Sequence, residues 1–395
     1  MKALDDIRVF DMTRVLAGPL CTQILGDLGA DVIKIERPLV GDVSRLWGPP
    51  FEKDEAGQET KESAYYLSCN RNKRSVTLDF TKPAGLAIAH RLIEKSDVFI
   101  ENFKQGFLTR YGLGYADVKK IKPDIIYCSI TGFGQTGPYA HRPGYDFQVQ
   151  GLSGLMSLIG EPEGTPLRAG ISIADIGTGM YSAMAILAAL FQRTRTGKGQ
   201  FIDMALLDSC MALLSFAAQS YLLEGKSPPR VGNGHPNIVP YGTFEAEDGF
   251  VIIAIGTDAQ FEKFCRFVGR EDLLSHPHYL HNDPRVRHRE EVIEEMNKII
   301  KEKPQVYWLE NLEKIGIPIG PVNTLEEAFQ DPQVKSRDIA QSFGDLKTVA
   351  SPLYLSDSPV TYQRRPPRLG EHTQDVLSEF LSSTQIAELK QANVI

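Results

Sequence analysis

Residues 7–36 read IRVFDMTRVLAGPLCTQILGDLGADVIKIE, and this stretch decides the fold. Ile7–Asp11 is a short apolar run of β-formers. Leu16–Gly29 carries apolar residues at helical spacing and ends on a glycine, and Asp31–Glu36 alternates as a strand does. The rhythm continues outward with Ser75–Phe80 as strand, Pro83–Lys95 as helix and Asp97–Glu101 as strand. Tyr115–Lys122 then forms a short helix and Asp124–Ile130 a further strand. Strands alternating with crossover helices imply an α/β fold, a parallel sheet with helices covering it.

At 395 residues the chain exceeds what one core usually serves, so two domains are expected. Hydrophobic residues at 42% and charged residues at 24% leave enough apolar surface to bury without staples. After residue 222 the texture changes. EGKSPPRVGNGHPNIVPYG is a Gly/Pro-rich linker or functional loop, and GTFEAEDGFVIIAIG places an Asp-Gly turn between two β-like runs. Amphipathic helices at about 259–268 and 289–302 follow, giving a smaller α+β domain over residues 223–328. Beyond it, Thr373–Leu381 and Ser383–Ala392 read as two amphipathic helices.

The net charge of −7 argues against a nucleic-acid or polybasic membrane-surface binder, both of which need broad positive surface. Five scattered cysteines without a CxxC pair argue against a disulfide framework or a zinc site, and point to a reducing cytoplasm. The opening MKALDDIRVFDMT reads as a first strand, not a signal peptide. The longest apolar stretch, Met180–Phe191, reads as a buried helix too short to span a bilayer.

Gly132-Phe133-Gly134-Gln135-Thr136-Gly137 matches GxGxxG after a strand. The chain continues PYAHRPGYD where a dinucleotide site needs a helix, so the motif reads as a structural loop. That discourages a nicotinamide oxidoreductase. Basic residues gather at Arg71-Asn72-Lys73-Arg74 and at Arg37, at or near strand ends, where α/β sheets bind ligands and Arg and Lys suit phosphates. Asp175 precedes an apolar helix, which makes it an N-cap candidate; the same position would keep a nucleophilic carboxylate ionised. His276, His278 and His281 fall together in a proline-bearing loop without a metal-site helix motif, so no metal is expected. No GxSxG elbow is present.

With these residues in place, the chain resembles the family III CoA-transferases, which include formyl-CoA and carnitine CoA-transferases. The stretches that carry it are DMTRVLAGPLCTQILGDLGADVIKIERPLVGD, NRNKRSVTLDF, DVFIENF, SITGFGQTGPY, GISIADIGTGMYSA, RTGKGQFIDMALLDS and PPRLGEHTQDVL. The resemblance implies a Rossmann-like CoA-binding domain over residues 1–222, rejoined by residues 329–395, with the small domain between. It also implies an interlocked homodimer. Asp175 would be the nucleophile. CoA contacts would fall on Leu16, Ala17, Arg37, Cys69, Asn70, Arg71, Asn72, Asn102, Phe103, Lys104, Arg110, Gly144, Tyr145 and Asp146, with Lys73 and Arg74 completing the basic loop. Gly232, Gly234 and His235 lie in a loop that reads either as a lid over Asp175, with backbone N–H groups for the oxyanion, or as a simple interdomain linker.

Formyl-CoA transferases carry glutamine at the position of Leu16 and a longer glycine-rich flap at VGNGHPNIVPYG. The chain looks more like the branch that uses succinyl-CoA with dicarboxylic acids such as glutarate. Arg14, Arg142 and Arg168 are candidates for a distal carboxylate. The rival within the superfamily is α-methylacyl-CoA racemase, whose His within Gly-His-Asp is replaced here by Tyr145, a poor base at neutral pH. A non-catalytic CoA-binding protein is the alternative of another class.

Overall fold

The computed structural model describes residues 2–395. Six parallel strands form the main sheet: β1 (Arg8–Asp11), β2 (Asp31–Glu36), β3 (Lys73–Thr77), β4 (Val98–Glu101), β5 (Ile126–Thr131) and β6 (Phe201–Ala205). Their spatial order is β3-β2-β1-β4-β5-β6. The chain builds outward from β1 in one direction, then restarts at β4 and builds in the other. Loops after β1 and β4 therefore diverge at the strand carboxyl ends and leave a crevice, the ligand position in open α/β sheets.

Phe10, Ile33, Val76, Phe99 and Tyr127 lie in one buried cluster, which the C-terminal residues Val376, Leu377, Ile386 and Val394 complete. Strand β3 starts two residues earlier than its apolar run suggests. Lys73 is fully buried there, its ammonium 3.4 Å from Asp11 and donating to the Pro19 carbonyl and to Asn70 Oδ1, each at 2.8 Å. With those partners a lysine can occupy a core strand.

The first crossover helix, α1, spans Ala17–Asp27. A second helix, α2 (Ile173–Thr196), runs 24 residues and is long and apolar enough to cross a bilayer by length and composition, unlike the shorter helix read from sequence; half of its most apolar window is buried. Its early glycines are packing sites within the helix. A Cβ at Gly179 would stand 2.7 Å from the Ala17 carbonyl oxygen, so α1 and α2 approach closely only because Gly179 has no side chain.

Two compact units make up the chain. One comprises the chain to Ser153, Gly170–Ser215 and Lys335–Ile395; the other comprises Gly154–Ala169 and Phe216–Val334. The sequence division fell at 222/223 and 328/329, with residues 154–169 in the first domain. The second unit carries an antiparallel sheet of β7 (Tyr241–Ala246), β8 (Gly249–Ala254) and β9 (Ile319–Pro321), with β8 in the centre. Phe244, Val251, Ile253, Phe264 and Trp308 fill its core. Helix Asp258–Phe267 packs there behind a capping box of Thr257 and Gln260.

Candidate active site

The crevice holds two adjoining cavities, both within the first unit. One, of about 440 Å³, lies among the loops after β1, β2 and β3 and includes Arg37. The other, of about 220 Å³, is lined by Leu16, Ala17, the turn 102–105, Gly144, Tyr145 and Asp175. Arg14, Val43 and Phe103 line both, so the two form one trough.

The floor of the trough is the turn between β1 and α1. Asp11 accepts from Thr13 N at 2.8 Å, Thr13 Oγ1 at 2.5 Å and Thr22 Oγ1 at 2.6 Å. Val15 takes φ of +73°, unusual for a β-branched residue, and its N–H donates to both Asp42 oxygens at 3.2 Å. Asp42 is held in turn by Lys34 at 2.9 Å, with both side chains fully buried. Burial alone would raise the Asp42 carboxyl, but Lys34 and Ser44 bring it below its ordinary value. Asn102 clamps the same turn from β4, accepting from Arg14 N at 2.9 Å and donating to Arg14 O at 2.7 Å. Leu16 stands at the N-cap of α1 with no side-chain cap, which leaves the helix's first amides, Ala17 in the cavity wall among them, without a side-chain acceptor.

Asp175 occupies the first turn of α2 but does not cap it. Asp146 does: its Oδ1 accepts from Ala174 N at 2.8 Å and Asp175 N at 3.2 Å, while Gln150 Nε2 donates to its Oδ2 at 2.7 Å. The Asp175 carboxylate is thereby free to line the cavity. Burial, and behind it the charge of Asp146, push its pKa up to about 7, which corrects the expectation that the helix end keeps it fully ionised. Tyr65 adjoins it. Burial and the Asp175 charge raise the Tyr65 hydroxyl to about 12, and a hydrogen bond joins it to Ser172. Tyr65 was not legible from sequence, because no short-range pattern links residues 65 and 175.

Gly144 meets Gly132, the first glycine of the GxGxxG loop. A Cβ on Gly144 would lie 2.5 Å from the Gly132 Cα, and a Cβ on Gly132 would lie 2.6 Å from the Gly144 Cα. The motif therefore serves a backbone crossing that places Tyr145 and Asp146. Gly144→Ala should cost about 2–4 kcal/mol, because backbone must move; urea unfolding against wild type measures it, and a loss under about 0.5 kcal/mol contradicts the crossing.

Other sequence-predicted contacts lie elsewhere. Arg71 forms a buried bidentate pair with Asp27 (2.9 and 2.5 Å), and Asn72 donates to the same Asp27 at 2.7 Å. Arg74 bonds Asp31 at 2.8 and 2.5 Å. The basic quartet is thus consumed inside the fold, against the expectation that its side chains meet phosphate. Cys69 and Asn70 are buried behind the trough, with Cys69 Sγ 3.7 Å from the Val15 carbonyl. Arg110 is exposed on a turn lining neither cavity. All five cysteines are free and buried, and burial raises each thiol, Cys69 to about 11, which disfavours a catalytic thiolate.

In the second unit the amides expected to face an oxyanion are engaged. Gly232 N donates to Gly160 O, Gly234 N to Val231 O and His235 N to Tyr241 O. His235 stacks on Phe216, and Arg289 holds the His235 and Pro236 carbonyls. Arg168 belongs to this unit. Here too His276, His278 and Glu291 bring ligand atoms within 4.8 Å, a grouping the histidine spacing alone did not reveal. Glu291 pairs with His278 at 2.8 Å and accepts from the Tyr279 hydroxyl at 3.1 Å, contacts that hold the group without an ion.

Residues 4–373 match the model of CoA-transferase family III. The chain belongs to that family. It is 46% identical over 382 residues to a succinate–glutarate CoA-transferase of Agrobacterium fabrum, covering 95% of each chain. It is 41% identical over 402 residues to the succinyl-CoA:glutarate CoA-transferase of Homo sapiens, covering 100% of this chain and 90% of that one. A crystal structure of a CAIB/BAIF family protein from Brucella suis superposes with a TM-score of 0.86 at 46% identity, over 96% of this chain and 99% of that one. A family III CoA-transferase takes CoA thioesters as substrates, so the trough at the sheet's switch point is the candidate site for that group.

Proposed function

We propose that this CoA-transferase moves CoA from succinyl-CoA to a small dicarboxylic acid such as glutarate, with Asp175 as covalent nucleophile. The observation that carries the reading is the freedom of Asp175. Asp146 caps α2 in its place, so a carboxylate stands in the wall of a trough roomy enough for an extended thioester. The names of the relatives support the two acids.

The Asp175 carboxylate attacks the thioester carbonyl, the C–S bond breaks, and a mixed anhydride and CoA thiolate result. The thiolate attacks the Asp175 carbonyl of the anhydride, the C–O bond to succinate breaks, and succinate leaves an aspartyl-CoA thioester behind. The acceptor carboxylate then attacks that thioester and expels CoA thiolate. Thiolate attack on the acceptor side of the new anhydride yields the product thioester and restores Asp175. The donor, aspartyl and product thioesters are of similar energy, so the exchange divides into two nearly balanced halves, which is the value of covalent catalysis here. The amide of Ala17, at the uncapped start of α1, is suited to receive charge on the carbonyl oxygen. Arg37 in the outer cavity suits the phosphates of CoA.

Initial rates should give parallel double-reciprocal lines for succinyl-CoA against glutarate if succinate departs before glutarate binds; intersecting lines contradict that order of release. Only ionised Asp175 is a nucleophile. With its pKa near 7, kcat/KM for succinyl-CoA should rise with pH and level off above about pH 7. A flat profile from pH 5.5 to 8.5 contradicts that assignment.

The reading includes a homodimer. Leu222, Leu223 and Leu325 are at least 72% exposed on the single chain, apolar surface that a partner copy would cover. Light scattering should give twice the chain mass.

A further inference from the structure

The geometry points to Arg142 as the residue that recognises the distal carboxylate of the acid, and so as the source of selectivity for dicarboxylic over monocarboxylic acceptors. The inference rests on the proposed CoA-transfer reading and adds to it the group that chooses the acid.

Three cationic side chains, Arg14, Lys104 and Arg142, line the cavity that holds Asp175, against that one carboxylate. Neither arginine has an acidic side chain within ion-pair distance among the described residues, whereas Arg8, Arg45, Arg71 and Arg74 all do. An unpaired excess of guanidinium beside a nucleophilic carboxylate suits a ligand that brings more than one negative charge.

The two arginines differ in place. Arg14 lines both cavities, its backbone clamped by Asn102 and its guanidinium 4.3 Å from the Phe103 ring centroid. It stands where an extended thioester passes from the outer cavity to Asp175, which assigns it to CoA. Arg142 lines the Asp175 cavity alone. Its guanidinium lies 3.9 Å from the Tyr139 ring centroid, and Tyr139 is braced edge-on by Phe133 at 5.6 Å. The contact with the ring anchors the guanidinium carbon, and its N–H groups suit a carboxylate, which a guanidinium receives in two parallel hydrogen bonds. With one carboxylate of the acid at the Asp175 thioester, the other needs a cation in the same cavity, and Arg142 supplies it.

The test compares glutarate with pentanoate, equal in chain length but lacking the second carboxylate, as acceptors for wild type, Arg142→Gln and Arg142→Lys. In a double-displacement reaction kcat/KM for the acceptor reports only the attack on aspartyl-CoA, so the choice of donor drops out. The ratio of the two constants comes from one protein sample, so it does not depend on the fraction correctly folded. Wild type should prefer glutarate, Arg142→Gln should lose about ten- to a hundredfold of that preference, and Arg142→Lys should retain part of it. An unchanged ratio in Arg142→Gln overturns the assignment. Wild type that transfers CoA to neither acid overturns the underlying reading, and this one with it.

Discussion

Asp175→Asn lowers CoA transfer by about 10⁴-fold or more, the size of loss seen when a covalent nucleophile is removed, and at the same time makes the protein harder to unfold at neutral pH. Both effects come from one feature. The folded protein holds the Asp175 carboxyl near pH 7, above the ordinary aspartate value, chiefly because the site is shielded from water. Between the unfolded value near 4 and the folded value near 7 the native state binds more protons than the unfolded state. Stability therefore falls as pH rises through that window. Asparagine has no charge to desolvate. Its gain should be absent at pH 4, grow to about pH 7, and reach about 2 kcal/mol or more at pH 8 after allowing for solvent at the cavity mouth. Urea midpoints at pH 4 and pH 8 measure it. Equal midpoints at pH 8, or a gain at pH 4 as large as at pH 8, contradict the account of Asp175.

Lys34→Met should destabilise the protein by about 3–5 kcal/mol, as removal of one partner from a buried ion pair does. Lys34 is fully buried and donates to Asp42 and to the Thr13 carbonyl, each at 2.9 Å. Methionine fills similar space but leaves the Asp42 carboxylate in the interior without its cation. Asp42 also holds the Val15 amide, so the strain at Val15 is no longer matched by a fixed acceptor and the turn that carries Leu16 and Ala17 loosens. The double variant Lys34→Met/Asp42→Leu should recover part of the stability, because no unpaired charge remains. It should not recover activity, because the Asp42→Leu change removes the acceptor of the Val15 amide altogether. Chemical denaturation with transfer assays on both variants decides the matter. Full activity in the double variant contradicts the role given to this turn.

The first crossover was legible because each signal in it is local. The apolar run, the helical spacing closed by Gly29 and the alternation of Asp31–Glu36 place β1, α1 and β2 within a residue or two of their ends. The basic quartet was not, because its partners lie far along the chain. Arg71 looks like a phosphate ligand until Asp27 is folded against it, and Lys73 until Asp11 is. Asp175 was singled out as the candidate nucleophile, but its local role as a cap was misjudged. Sequence places a cap there, and only the fold brings Asp146 to do the capping. Gly177 and Gly179 likewise depend on distant partners: both lie within α2, where the Leu213 side chain and the Ala17 carbonyl crowd any added Cβ.

The most direct test of the central claim is intact-protein mass spectrometry after incubation with succinyl-CoA, comparing wild type with Asp175→Ala. Wild type should gain the mass of a CoA thioester, hydroxylamine should remove it, peptide mapping should place it on Asp175, and the variant should stay at its own mass. An adduct of equal yield on the variant, or wild type that transfers CoA to glutarate without ever carrying one, would contradict the covalent role of Asp175.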